Sequence, residues 1–146
     1  MKSFSFRLDR ILKLRETAEQ AQARRYGDAA RDEAERDREC EDQVAYLDRV
    51  GQRLTPKTGE RTSAGLLWVL QLTSDAAAAQ LADAEQARVE AQARAEAERT
   101  ELARARIERK TLERLKEQEH IDWREGAEQS DRKDMDEIAS RRRGHQ

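Results

Sequence analysis

Pro56 is the only proline in a chain of 146 residues, and it falls in the one stretch where helix formers give way. That stretch, Thr55 to Gly65 (TPKTGERTSAG), also holds two of the six glycines and several hydroxyl side chains that compete for backbone hydrogen bonds. Elsewhere alanine, glutamate, leucine, lysine and arginine dominate, the residues of strongest helix propensity. A single break in one helical pattern predicts two helices and a connection. Thr62 or Ser63 is placed to cap the second helix by accepting from its free amides.

The apolar spacing says what these helices do with each other. Upstream of the break, Cys40, Val44, Leu47, Val50 and Leu54 recur at three- and four-residue steps and share one helical face. Downstream, Leu67, Leu70, Ala77, Leu81, Ala84, Ala91, Ala95, Leu102, Ala105 and Leu112 keep the same rhythm, interrupted by Ser74, Arg88, Glu98 and Arg109. Such seams bury themselves against another helix, and alanine lets two backbones come close. A short connection makes the two helices antiparallel neighbours. The expected fold is therefore all-α: one domain, residues 1–146, forming an antiparallel coiled-coil hairpin. Helix one runs from about 5 to 53, the turn region is 54–65, and helix two runs from about 64 to 141.

The second helix is the longer and overhangs the first. At 1.5 Å per residue the two would span roughly 70 Å and 115 Å. Folding about Gly59 pairs Val50 with Trp68, Leu47 with Leu70 or Leu72, and Leu12 with Arg106 or Ile107. Residues after about Glu113 are then left without an intramolecular partner. Their apolar members, Leu115, Ile121, Trp123, Met135 and Ile138, would gain by docking elsewhere. Within helix one, Gly27 to Glu39 offers only alanines to the seam among many acids, and is expected to be its least stable paired part.

Composition narrows function. Hydrophobic residues are 36% and charged residues 41%; with so few large apolar side chains, a compact globular core is excluded. The net charge of only −2, in a chain full of helix formers, argues against disorder. Lys plus Arg total 29 against 31 Asp plus Glu, so no overall positive field draws in nucleic acid. No basic run precedes a leucine zipper. Cys40 is the single cysteine, which excludes an internal disulfide, and reads as a small seam hydrophobe. Met1 to Arg15 lacks the apolar run of a signal peptide, and the longest uncharged run, Thr62 to Ser74, is too short to cross a bilayer, which takes about 20 residues. A cytoplasmic chain without a transmembrane segment is expected. His120 and His145 are far apart and read as solvated, adjacent acids such as Asp136 and Glu137 face different sides of a helix, and no glycine-rich phosphate loop is present. No catalytic residue, metal ligand or cofactor site is expected; the chain reads as a non-enzyme.

What remains are surfaces. Phe4, Leu8, Ile11, Leu12 and Leu14 share one face of the first helix, while Arg7, Arg10 and Lys13 lie away from it and Phe6 points off it. Residues 1–25 hold seven Lys or Arg against three acids, a local charge of +4. Arg141, Arg142 and Arg143 make a second basic cluster. Basic amphipathic helices of this kind grip a partner helix, an acidic protein ring or an anionic membrane. Near the connection, Leu66, Trp68 and Val69 cannot all face helix one, because successive helical residues turn by about 100°.

Two stretches resemble a known family. Phe4, Phe6, Leu8, Ile11, Leu12, Leu14 and Arg15 are similar to an F-x-F-x-L-x-x-[IVL]-L-x-L-R opening. Leu112-Glu113-Arg114-Leu115-Lys116-Glu117, then Lys133, Met135-Asp136-Glu137-Ile138-Ala139 and Arg142, are similar to an L-E-x-L-K-E … K-x-[LMI]-D-E-I-A-x-x-R ending. Both resemble the FliJ family, coiled-coil stalk components of the bacterial flagellar type III export apparatus. The resemblance covers the whole chain in layout and about a third of it in residues. It implies a hairpin similar to the two-helix stalk of the rotary ATP synthase. The end carrying both termini would insert into the hexameric export ATPase and stimulate it, with Phe4, Phe6, Arg7, Arg10, Lys13, Met135, Ile138, Arg141 and Arg142 as contacts. Leu66, Trp68 and Val69 would meet the membrane export gate or export chaperones, at the inner membrane of the flagellar base. The equivalent stalk of a virulence type III system and a generic tethering coiled coil are the alternative readings.

Overall fold

A computed structural model describes residues 3–55 and 61–143. These residues form two helices and no strand: α1, Asp9–Leu54, and α2, Ala64–Arg143. Pro56 and Gly59 of the expected turn lie outside the described residues. The Leu66 amide donates to Ser63 Oγ at 3.1 Å and the Leu67 amide to the Ser63 carbonyl at 3.1 Å, so Ser63 is the N-cap of α2. α2 passes through Gly126, where an added Cβ would meet nothing within 4 Å, and ends on Arg141, Arg142 and Arg143. Cations there suit the negative end of the helix dipole.

α1 begins at Asp9 rather than near Ser5. The Asp9 amide donates to the Phe6 carbonyl at 3.1 Å, closing a turn, and the Leu12 amide then donates to the Leu8 carbonyl at 2.9 Å. Phe6 therefore sits before the helix, where helical phase does not fix its direction. The turn sends its ring inward.

The chain divides into two compact units, Gln22–Leu102 on the one hand and Met1–Ala21 with Ala103–Gln146 on the other. In each, a segment of α1 and a segment of α2 run antiparallel. Within Gln22–Leu102 the core is Cys40, Val50, Ala77, Ala91, Ala95 and Leu102. Ala77 and Ala91 are each only 1% exposed. Val44 of the expected seam is exposed and Gln43 is half-buried instead; three- and four-residue steps both lead from Cys40 to Leu47, and the backbone takes the first. Gln22 donates to the Glu98 carbonyl at 3.2 Å and to its carboxylate. The acidic stretch after Gly27 is tied to its neighbour: Asp32 lies 3.6 Å from Arg94 and 3.6 Å from Arg36.

In the other unit Phe6 and Leu12 are the buried residues. Ile11 and Leu14, expected on the inner face, are exposed, because the helical phase set from Leu12 turns them outward. Polar contacts fix the alignment. Arg15 pairs with Glu108 at 2.6 Å, Asp9 with Lys116 at 2.8 Å, and Glu19 with Arg106 and Arg109.

That alignment departs from the one centred on Gly59. Val50 is buried while Trp68 is mostly exposed, so the two are not partners. Leu12 lies between the Asp9–Lys116 and Arg15–Glu108 bridges, beyond Ile107, which is itself exposed. Residues past Glu113 are accordingly not bare: Lys116, His120 and Trp123 all contact the N-terminal segment. Sliding one helix by about seven residues leaves the same faces in contact. Periodicity cannot separate those registers; specific charge and ring contacts do. The overhang of α2 persists but starts after Trp123.

Candidate partner-binding surfaces

The N-terminal segment is fastened by aromatic and ionic contacts. Phe4 meets His120 edge-on at 4.9 Å between ring centroids and Trp123 at 6.0 Å, while His120 stacks on Trp123 at 6.0 Å. His120 and Trp123, three residues apart, share one helical face. Lys116 Nζ lies 5.9 Å from the centroid of the Phe6 ring, within cation–π range. The same ammonium binds Asp9, which Lys13 also reaches at 3.1 Å.

These contacts have electrostatic consequences. The hydrogen bond from Lys116, then that from Lys13, hold the Asp9 carboxyl below its ordinary range. Arg109 is held more firmly protonated by Glu19 and then Glu113. A carboxyl depressed in the folded state contributes stability above its unfolded pKa of about 3.9 and loses it as pH falls through the folded value. Carboxyl NMR is expected to show Asp9 titrating below an ordinary aspartate, and Lys116→Met should move its midpoint upward. An unmoved midpoint would mean that Lys116 does not hold it.

The expected contact residues divide into distinct groups. Arg7, Arg10 and Lys13 are exposed on the outside of the N-terminal segment, with Phe6 buried and Phe4 half-buried beneath. Met135, Ile138, Arg141 and Arg142 are exposed on the α2 overhang. Met135 lies twelve positions beyond Trp123, the last aromatic contact, or about 18 Å along the helix, so the structure does not gather the two basic groups into one patch. In the other unit Leu66, Trp68 and Val69 are all exposed, at 52%, 66% and 51%, with Leu72 beside them at 49%. The whole first turn of α2 is bare, more than the one exposed side chain that helical phase alone required.

His120, expected to be solvated, is exposed, and its ring nonetheless contacts Phe4 and Trp123. The signal that could have found these contacts is Phe4 ahead of the first helix and the pair His120 and Trp123 spaced for one face. Among the described residues no helix is long and apolar enough to cross a membrane.

A family model described as Flagellar FliJ protein matches residues 4–146. The chain belongs to the FliJ family. No match was found among curated proteins or solved structures. The match runs from Phe4 through the whole of α2, so it takes in both similar ends and the helices between them. Membership makes this FliJ-family chain a component of flagellar type III protein export, in place of a generic tether.

Proposed function

We propose that this FliJ-family protein is a non-enzymatic activator of the hexameric flagellar export ATPase. Its terminal unit enters the central hole of the hexamer and stabilises the assembled ring. ATP hydrolysis belongs wholly to that partner. The observation that carries the reading is the fastening of the N-terminal segment: Phe6 and Leu12 are buried, which presents Arg7, Arg10 and Lys13 outward on a fixed backbone. Presented in this way, cations steer docking on an acidic lining without first being ordered. Met135, Ile138, Arg141 and Arg142, further along α2, add a second contact to the same ring. The exposed turn with Leu66, Trp68 and Val69 works on the membrane side of the apparatus, where the export gate and export chaperones meet, and the protein acts in the cytoplasm at the inner-membrane base of the flagellum.

Adding the full-length chain to the purified export ATPase is expected to raise ATP turnover and the fraction of hexamer. Both effects should weaken as salt rises from about 50 to 200 mM, because exposed charges are screened over a Debye length of about 10 Å at 0.1 M. Turnover independent of the added chain would refute the activator role. Turnover raised equally at all salt concentrations would refute the basic contact.

A further inference from the structure

The start of α2 is apolar all the way round. Leu66, Leu67, Trp68 and Val69 are 52%, 37%, 66% and 51% exposed, and at about 100° per residue they span the full helical circumference. A helix docked in a protein groove offers one stripe, because one partner covers one side. A turn apolar on every side is suited to an environment that surrounds it.

Charge around this turn is mainly positive. Between Asp48 and Asp75 the sequence carries Arg49, Arg53, Lys57 and Arg61 against one acid, Glu60. Arg49 and Arg53 line an open groove of about 620 Å³ floored by Leu66 and Leu70 and bordered by Gln52. The Arg49 guanidinium lies 6.0 Å from the Tyr46 ring centroid, a cation–π contact that restrains it. Cationic forks thus stand beside apolar floor, the pairing that an anionic phospholipid presents in reverse: phosphate above, hydrocarbon below.

We propose that this end of the Gln22–Leu102 unit is an anionic-phospholipid-binding tip. Arg49 and Arg53 bind headgroup phosphates while Leu66, Leu67, Trp68 and Val69 enter the interfacial layer. Trp68 sits at headgroup depth, where an indole has its ring in apolar surroundings and its N–H in water. The uncharged run from Thr62 to Ser74 is too short to span, so the tip lies in the interface. This lipid contact is independent of any ATPase contact at the termini.

The test uses the full-length chain carrying Trp123→Phe, which keeps a ring against Phe4 and leaves Trp68 as the only indole. On phosphatidylglycerol–phosphatidylcholine vesicles the Trp68 emission is expected to shift to the blue and to be quenched by brominated acyl chains. Pure phosphatidylcholine should give little of either. Each arginine near an anionic surface is worth about fivefold in partitioning, so R49Q with R53Q should weaken binding by about thirtyfold. L67S with V69S should abolish the blue shift. Both pairs alter exposed side chains, and circular dichroism checks that the helices remain. Unchanged Trp68 emission on anionic vesicles, with helicity intact, would overturn the proposal. So would vesicle binding that survives both tip variants and disappears in R7E with R10E, which would give the lipid to the N-terminal segment. A blue shift produced only by purified export-gate protein would also overturn it, in favour of a protein partner.

Discussion

Phe6→Ala is expected to destabilise the terminal unit by about 3 kcal/mol, the lower end of the range for deleting a buried phenyl ring. Phe6 is 6% exposed, and among its unit's described side chains only Leu12 is buried as deeply. Truncation removes its apolar burial and the ring beneath the Lys116 ammonium, which lies 5.9 Å from the centroid. The turn that precedes α1, closed by the Asp9 amide on the Phe6 carbonyl, then loses its buried side chain and keeps only the Phe4 ring contacts and the Asp9–Lys116 bridge. Hydrogen exchange should accelerate first at the amides of the opening turns of α1, ahead of those around Cys40. Phe4→Ala, at a half-buried ring, should cost about 1 kcal/mol. Equal costs in urea unfolding would show that Phe6 is not the anchor.

Ala77→Asp is the second large effect, with an expected loss of about 3 kcal/mol or more. Ala77 is 1% exposed, in a seam where the backbones come close because the side chain is one methyl group. An aspartate there must either lose its water or push the helices apart. Its neighbour provides the control. Ala78 is exposed, and Ala78→Asp should change stability by no more than about 0.5 kcal/mol beyond the difference in helix propensity. Chemical denaturation of the pair reads out the seam directly, and similar losses at 77 and 78 would contradict the assignment of faces.

The fold was legible where the sequence states a local rule. Ser63 follows a break and precedes an apolar run, which is what a cap requires, and it caps α2. Ala77 and Ala91 lie two heptads apart and Ala95 one helical turn further on, and all three are buried. Alignment was not legible, because a coiled coil slid by one heptad presents the same faces. It is set by pairs distant in sequence, Asp9 with Lys116 and Arg15 with Glu108. Neither helix alone encodes those pairs. Phe6 was misplaced for a related reason: helical phase was extended across residues that form a turn instead. The exposed cations Arg7 and Arg10 were legible as charges, but their fixed presentation follows only from the burial of Phe6 and Leu12 beneath them.

The most direct test of the activator role is stimulation of the export ATPase by the triple variant R7E, R10E, K13E. All three side chains are exposed, and Asp9 keeps its Lys116 partner when Lys13 is changed, so the helices should remain. Single exposed charges contribute modestly, whereas reversing three changes the sign of the surface. Stimulation should fall strongly, and the gap between variant and wild type should widen as salt is lowered. A triple variant that remains helical by circular dichroism and stimulates the hexamer as the wild type does would contradict the account.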